Sequence, residues 1–307
     1  MSVMKDASAE RWCLLWRHEA RRVFVDKLST AEERSRVMGW IDDVANKFMP
    51  LSDKDAALEI GGHGLDDVWW ASFLRDDEED EETGELEALR VYEPVTSPLH
   101  ARQRGYSTLE EFNETYPAKK MNIVLFDEAL KHLMRITRII GMPRGSGMLV
   151  GVGGSGKQSL TRLSAFICRQ RVEQLVITKD YNRANLYESL KDFYKKAGVQ
   201  GKPTCFLLTD AQIPQENFLE AINSILSTGE VVGLYEKEEL AQCTNELATQ
   251  FKKERPKADD TSINRYNFFM ERVRNNLHVV FGFSPVNREF AIRAQKFPSI
   301  FSCATIS

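Results

Sequence analysis

The chain has 307 residues, 42% hydrophobic and 28% charged, with a net charge of −4 at neutral pH. That length supports one large or two modest domains with real cores, and so small a net charge gives no global field to draw the chain onto nucleic acid or a membrane surface. Its longest apolar runs, such as Ile123–Phe126 and Met148–Val152, are too short to span a bilayer. The N-terminal MSVMKDASAE lacks the apolar stretch of a secretory signal. Five cysteines and five histidines lie scattered, without C-x-x-C or metal-ligand spacing, so a cytosolic protein with free thiols is expected.

Residues 11–48 read as helical. Trp12, Leu15, Trp16, Val23 and Phe24 recur at helical spacing as one apolar stripe, expected to be core, and Thr30 with Glu33 forms a capping box that starts a second helix. Asp76 to Glu82 is an unbroken acidic run, expected to be a solvated mobile loop separating two unlike regions. Beyond it, helices and short strands alternate. Asp127 is placed to cap a helix carrying Leu130, Leu133, Ile136 and Ile140. Met148–Val152 reads as a strand with a helix from Lys157, Gln174–Thr178 as a strand with a helix over Arg183–Lys196, and Thr204–Thr209 as a strand with a helix over Glu216–Leu226. A long helical stretch at 236–276 precedes a last strand, Leu277–Phe283. The pattern predicts an α/β fold, a parallel sheet flanked by helices, with ligands at the carboxyl ends of the strands.

The segment Gly151-Val-Gly153-Gly154-Ser155-Gly156-Lys157-Gln158 follows a strand and opens a helix, the context a P-loop requires. Glycine permits backbone conformations barred to other residues, so successive N–H groups turn inward as an anion nest. The helix N-terminus adds partial positive charge, and Lys157 supplies a compact cation for the β and γ phosphates. The loop normally ends in Ser or Thr, whose hydroxyl binds Mg²⁺. Here Gln158 stands there, leaving its amide oxygen or Ser159 for that task. The same residues also satisfy G-x-G-x-x-G, the dinucleotide fingerprint, and Asp180 falls where a ribose-binding acid would sit. Lys157 favours the triphosphate, which needs it, over the bridging pyrophosphate, which does not.

P-loop ATPases anchor Mg²⁺ with an Asp at the end of an apolar strand beside the loop strand, and Phe206-Leu-Leu-Thr-Asp210 fits. The next residue is normally a Glu that polarises the attacking water. Here it is Ala211, followed by Gln212, so that route to hydrolysis is missing. Glu216, the nearest carboxylate, is expected to be a first-turn acid favoured by the helix dipole.

These segments resemble a known family. Met121–His132, Ile139–Gly145, LVGVGGSGKQSL, residues 209–231, Phe283-Ser-Pro285 and Lys296-Phe-Pro298 resemble the fourth AAA+ module of axonemal dynein heavy chains. Leu15–Glu19 and Arg22–Asp26 look like the small helical subdomain that closes the third. The resemblance implies a P-loop AAA+ large subdomain over 94–307, an acidic linker over 76–93 and a small helical subdomain over 1–75; residues 61–93 match poorly. It implies ATP and Mg²⁺ as ligands. Val124, Leu125 and Phe126 would pack on adenine, Gly151 to Ser159 would hold phosphate, and Gln158 and Asp210 would serve the metal. Ser284 would act as a γ-phosphate sensor. Arg293 matches an arginine acting in trans on the neighbouring module's nucleotide, with an arginine paired to an acid as the open alternative. Ala291 and Gln295 depart from the family, which usually has arginines there, and the family continues past Ser307, so a fragment of a longer chain is expected.

The resemblance further implies a regulatory module in a microtubule motor of the cilium or flagellum, binding ATP with weak or no hydrolysis. Its partners would be neighbouring modules of the same heavy chain and, through the full-length chain, intermediate and light chains and microtubules, with no nucleic acid and no membrane. A catalytically active free-standing ATPase, a dinucleotide-dependent oxidoreductase and a scaffold with an empty site are the alternatives.

Overall fold

In the computed structural model the described residues are 7–26, 28, 30–49, 68–76, 78–79, 86–87 and 90–306, and the chain forms two compact units, Met1–Ser107 and Thr108–Ser307.

In the first unit, helix α1 (Ala9–Ala20) starts on Ser8, whose hydroxyl accepts the Arg11 N–H at 3.1 Å, and runs into a wider π-type turn at Arg21–Val25. Helix α2 (Ala31–Phe48) starts on Thr30. There the Glu33 N–H donates to the Thr30 hydroxyl at 3.2 Å, and that hydroxyl donates to the Glu33 carboxylate at 2.8 Å. Of the expected stripe Leu15 is core but the others are not: Trp12 is 47% and Phe24 61% exposed, and Leu14, Ala20 and Val25 are buried beside Leu15. Leu14 and Leu15 pack with Trp70 and Tyr92, residues distant in sequence that select the neighbouring face of α1. The i→i+5 turn then shifts Val23 and Phe24 off the face that a period of about 3.6 assigns them.

Strand β1 (Trp70–Ala71) pairs antiparallel with β4 (Glu93–Pro94), and β2 (Glu78–Glu79) with β3 (Leu86–Glu87). Two residues of the expected acidic loop thus belong to a short ladder. The rest of that loop after Asp76 lies outside the described residues, as does the poorly matching stretch 61–67. Helix α3 (Pro98–Thr115) spans the division between the units.

The second unit is the α/β sheet the sequence predicts. Strands β5 (Gly147–Val150), β6 (Arg171–Glu173), β7 (Thr204–Thr209), β8 (Leu277–Phe283) and β9 (Thr305–Ile306) lie in the order β6-β7-β8-β5-β9, every pair parallel. All residues of β7 and β8 are buried, as expected of central strands covered on both faces, which read as continuous apolar runs. Helix α4 (Asp127–Ile140) buries Leu130, Leu133, Ile136 and Ile140 as expected, but Phe126 is its N-cap and Asp127 its first residue. It packs on α5 (Lys157–Ile167): Ser164 Oγ donates to the Leu133 carbonyl at 3.5 Å, and Gln170, just past α5, closes the end of α4 by donating to the Ile140 carbonyl at 2.7 Å. Helix α6 is Arg183–Tyr194 and α7 is Phe218–Ser227.

Several elements differ from expectation. The second strand is Arg171–Glu173 rather than 174–178. Among the described residues it is an edge strand paired with β7, and beyond Glu173 the Leu175 carbonyl is taken by the Gln212 side chain at 2.8 Å instead of a ladder partner. The stretch 236–276 is broken into α8 (Lys237–Glu246), α9 (Ala248–Glu254) and α10 (Ser262–Asn276). Pro256 disfavours helical backbone at Arg255 and so ends α9, and Thr261 restarts the chain by accepting the Asn264 N–H at 3.3 Å. Helices α11 (Glu289–Lys296) and α12 (Pro298–Ser302) lead into β9, which the sequence reading missed because two residues carry no period.

Candidate functional site

The strand order fixes where chemistry is possible. Strand β8 lies between β5 and β7, so the segments after these three strands emerge side by side at their carboxyl ends. The glycine loop follows β5, Asp210 follows β7 and Ser284 follows β8.

The glycine loop has the conformation the sequence predicts. Gly154 and Gly156 have φ of 77° and 81°, a left-handed backbone that non-glycine residues resist, and Gly156 is the N-cap of α5. At the loop's base the Gly151 N–H donates to the Phe283 carbonyl at 3.1 Å, tying the loop to β8. A Cβ on Gly151 would meet Ser155 Oγ at 2.9 Å. Lys157 Nζ reaches back over the loop and donates to the Gly151 and Val152 carbonyls at 2.6 and 2.7 Å and to Ser155 Oγ at 3.1 Å. Burial lowers the pKa of this amine, and the attraction of Asp210 works against that. The cation and the acid therefore feel each other across the crevice. Glycines with positive φ, a helix N-terminus and a lysine folded over the bend fit a polyphosphate.

The end of β7 is built differently. Asp210 Oδ2 accepts the Ser284 N–H at 2.8 Å, and Oδ1 accepts Asn287 Nδ2 at 3.0 Å and Arg293 Nη1 at 2.6 Å. Arg293 also donates through Nε and Nη2 to Glu216, at 3.1 and 2.8 Å to Oε1, and lies 5.3 Å over the Phe283 ring. Its side chain is 3% exposed. Burial opposes its charge, but the hydrogen bonds and attraction of Glu216 and Asp210 outweigh burial and hold its pKa above the usual value. Arg293, for which the sequence leaves open both a role toward a neighbouring module and a pairing to an acid, is buried within its own unit and paired to two acids. Glu216 precedes α7 rather than sitting in its first turn, and it is an ion-pair partner, not a dipole residue. Sequence reasoning missed the joining of Asn287 and Arg293 to Asp210, and of Glu216 to Arg293. Residues 77 and 83 positions from Asp210 carry no spacing that links them to it.

The remaining predicted residues sort as follows. Gln158 is exposed, and its amide oxygen accepts from Arg162 Nη2 at 3.2 Å, along the outer side of α5. Ser159 is half-buried in the first turn of α5. Asp210 retains lone pairs on Oδ2, and the described residues hold no group of three or more His, Cys, Asp or Glu side chains suited to a metal. The lone pairs on Oδ2 fit a Mg²⁺ that takes most of its ligands from phosphate and water, with one carboxylate nearby. Leu125 is 1% exposed and belongs to the core, whereas Val124 and Phe126 are exposed at the entry to α4. Ala211 is exposed, and Gln212 is spent bracing the turn through Thr209 and Leu175.

The topology bears directly on the dinucleotide alternative. A ribose-binding acid stands at the end of the strand adjacent to the loop strand. Here β7 and β8 separate β6 from β5, and Asp180 sits in an exposed turn beyond β6.

Comparison with known proteins agrees. A family model described as the P-loop containing dynein motor region D4 matches residues 121–307. The chain is similar to dynein axonemal heavy chain 5 of Rattus norvegicus, 41% identical over 297 residues, and to the dynein gamma chain of the flagellar outer arm of Chlamydomonas reinhardtii, 42% identical over 309 residues. It is also 37% identical over 299 residues to dynein axonemal heavy chain 8 of Homo sapiens. These alignments cover 95%, 98% and 95% of the chain but only 8%, 6% and 6% of the relatives.

Proposed function

The chain belongs to the dynein heavy-chain family, as a P-loop AAA+ piece of its motor region, and from that premise we propose that it binds ATP with Mg²⁺ and turns it over weakly or not at all. The observation that supports this most is the loop over Gly151–Lys157, whose positive-φ glycines and folded-back lysine are arranged for a triphosphate. On arrival of the phosphates, Lys157 exchanges the Gly151 and Val152 carbonyls for phosphate oxygens. Ser284, whose amide is already fixed on Asp210, stands at the strand end from which its hydroxyl senses the γ-phosphate. Val124 and Phe126 present apolar surface to the adenine, with Leu125 anchoring that segment in the core.

Mg²⁺, when bound, would neutralise phosphate charge, with Asp210 as its carboxylate; Gln158 would have to release Arg162 to reach it, and Ser159 offers a hydroxyl in the same helical turn. Proton removal from water is what the site lacks. Ala211 has no basic atom, and Glu216, the nearest alternative, is already paired to Arg293 through two guanidinium nitrogens. Such a site holds ATP and shifts ring conformations by differential affinity.

In this reading residues 94–307 form the large subdomain of one AAA+ module, and 1–75 the helical subdomain of the preceding one, joined by the acidic linker. The whole heavy chain would act on microtubules in a ciliary or flagellar axoneme, beside neighbouring modules and the intermediate and light chains. Titration of the 307-residue chain with fluorescent ATP tests the core of the proposal. Submillimolar binding is expected, weakened about 100-fold in Lys157→Ala, which removes a charge-assisted contact. Unchanged affinity in that variant overturns the reading, and steady-state turnover near 1 per second, an ordinary low enzyme rate, overturns its regulatory part.

A further inference from the structure

One guanidinium holds two acids in this site, and it holds them unequally. Glu216 is gripped by Nε and Nη2 together, a fork that matches a carboxylate. Asp210 is held by Nη1 alone. Arg293 is also buried to 3% exposure and rests on the face of Phe283, one residue before the Ser284 amide that fixes the other oxygen of Asp210. Nothing in its resemblance to other chains calls for this position, since an arginine serving a neighbouring site would point out of its own unit.

From this asymmetry we infer that Arg293 is an internal latch on the metal-anchoring acid, closed on Asp210 until a divalent cation takes that acid and retained by Glu216 alone thereafter. The inference rests on the nucleotide reading above and names the regulation of that same site. Its physical basis is competition. A guanidinium on Oδ1 and a divalent cation on Oδ2 stand only the width of one carboxylate apart, and two cations that close repel strongly in a half-buried crevice. The fork to Glu216 gives the displaced guanidinium a partner, so opening the latch leaves no buried charge unpaired.

The latch also has a lever. Arg293 sits on α11, which continues through α12 into β9, and β9 pairs with β5, the strand that carries the phosphate loop. Ser299 at the start of α12 is held through its N–H by Asn223 of α7 at 2.9 Å. Metal occupancy at Asp210 is therefore reported at α11, between two fixed points.

The test uses the 307-residue chain and the Mg²⁺ midpoint for ATP binding at fixed ATP, with metal-free ATP affinity measured in chelator. Arg293→Met, near the shape of the side chain and without its charge, should lower the Mg²⁺ midpoint about tenfold or more, by removal of a like charge. Glu216→Gln should raise it several-fold, because Asp210 becomes the guanidinium's remaining anionic partner. Metal-free ATP affinity should move less than about twofold in both, since the Lys157 loop supplies that term. As an independent readout, hydrogen exchange of the α11 amides should rise when Mg²⁺ is added to the ATP-bound wild-type chain and should not respond in Arg293→Met. Should Arg293→Met fail to fold, the Glu216→Gln shift and the wild-type exchange response decide the matter. Midpoints that stay put or move in the same direction overturn the latch while leaving the ATP site intact. A wild-type chain that binds no ATP with or without Mg²⁺ overturns the nucleotide reading and the latch with it.

Discussion

The segments that follow β5 and β7 begin at the same end of the same sheet, with β8 between them, yet they are built on opposite principles. After β5 the chain offers donors. Gly154 and Gly156 turn the backbone through left-handed conformations, and the one cation, Lys157, is satisfied by carbonyls of its own loop. After β7 the chain offers an acceptor, and that acceptor has drawn in the donors around it: Ser284, Asn287 and Arg293. A row of amides can remain open to solvent at little cost because water hydrates it. A carboxylate beside buried strands cannot remain unpaired at the same cost, so the fold closes on it. The first segment presents donors and a cation bound only to its own loop, and the second presents an acid already holding its partners.

The contrast can be broken from either side. The largest effect is expected for Gly156→Val, which forces a β-branched residue to a φ of 81° at the N-cap of α5. ATP affinity should fall by more than about 100-fold, and stability by about 2–3 kcal/mol, in parallel ATP titration and urea unfolding. On the closed side, Asp210→Ala strips Arg293 of one of its acids and leaves the Ser284 amide and Asn287 without their acceptor. Urea unfolding should show a loss of about 2 kcal/mol without nucleotide. Equal stability of variant and wild type would mean that this ion-pair cluster contributes nothing to the fold. The smallest effect sharpens the contrast instead. Ala211 is exposed, so Ala211→Glu should leave the melting temperature nearly unchanged while raising ATP turnover about tenfold or more, by placing a base beside Asp210. Turnover that stays at the wild-type level would show that the missing acid is not what limits hydrolysis.

Much of this molecule was legible without coordinates because the signals were local. The apolar runs at Thr204–Thr209 and Leu277–Phe283 are strands because nothing else buries so continuous a run between helices. The glycines and Lys157 carry their reading within a few residues, since each acts through the backbone geometry of its own turn. Reading failed where a partner far along the chain decided. Leu14 joins Leu15 inside, and Trp12 and Trp16 do not, because Trp70 and Tyr92 arrive from elsewhere in the first unit. Asp180 has the sequence spacing of a ribose-binding acid, but the strand order sets β7 and β8 between its strand and the loop strand.

What the sequence by itself determined is the glycine bend, its lysine, the strand-end acid and the missing base, since each is a property of a few consecutive residues. Tertiary structure alone decided that Arg293 turns inward onto Asp210 and Glu216. The reason is that a buried charge takes whichever opposite charges the fold brings within reach, and three residues brought together across some eighty positions leave no trace in spacing or period.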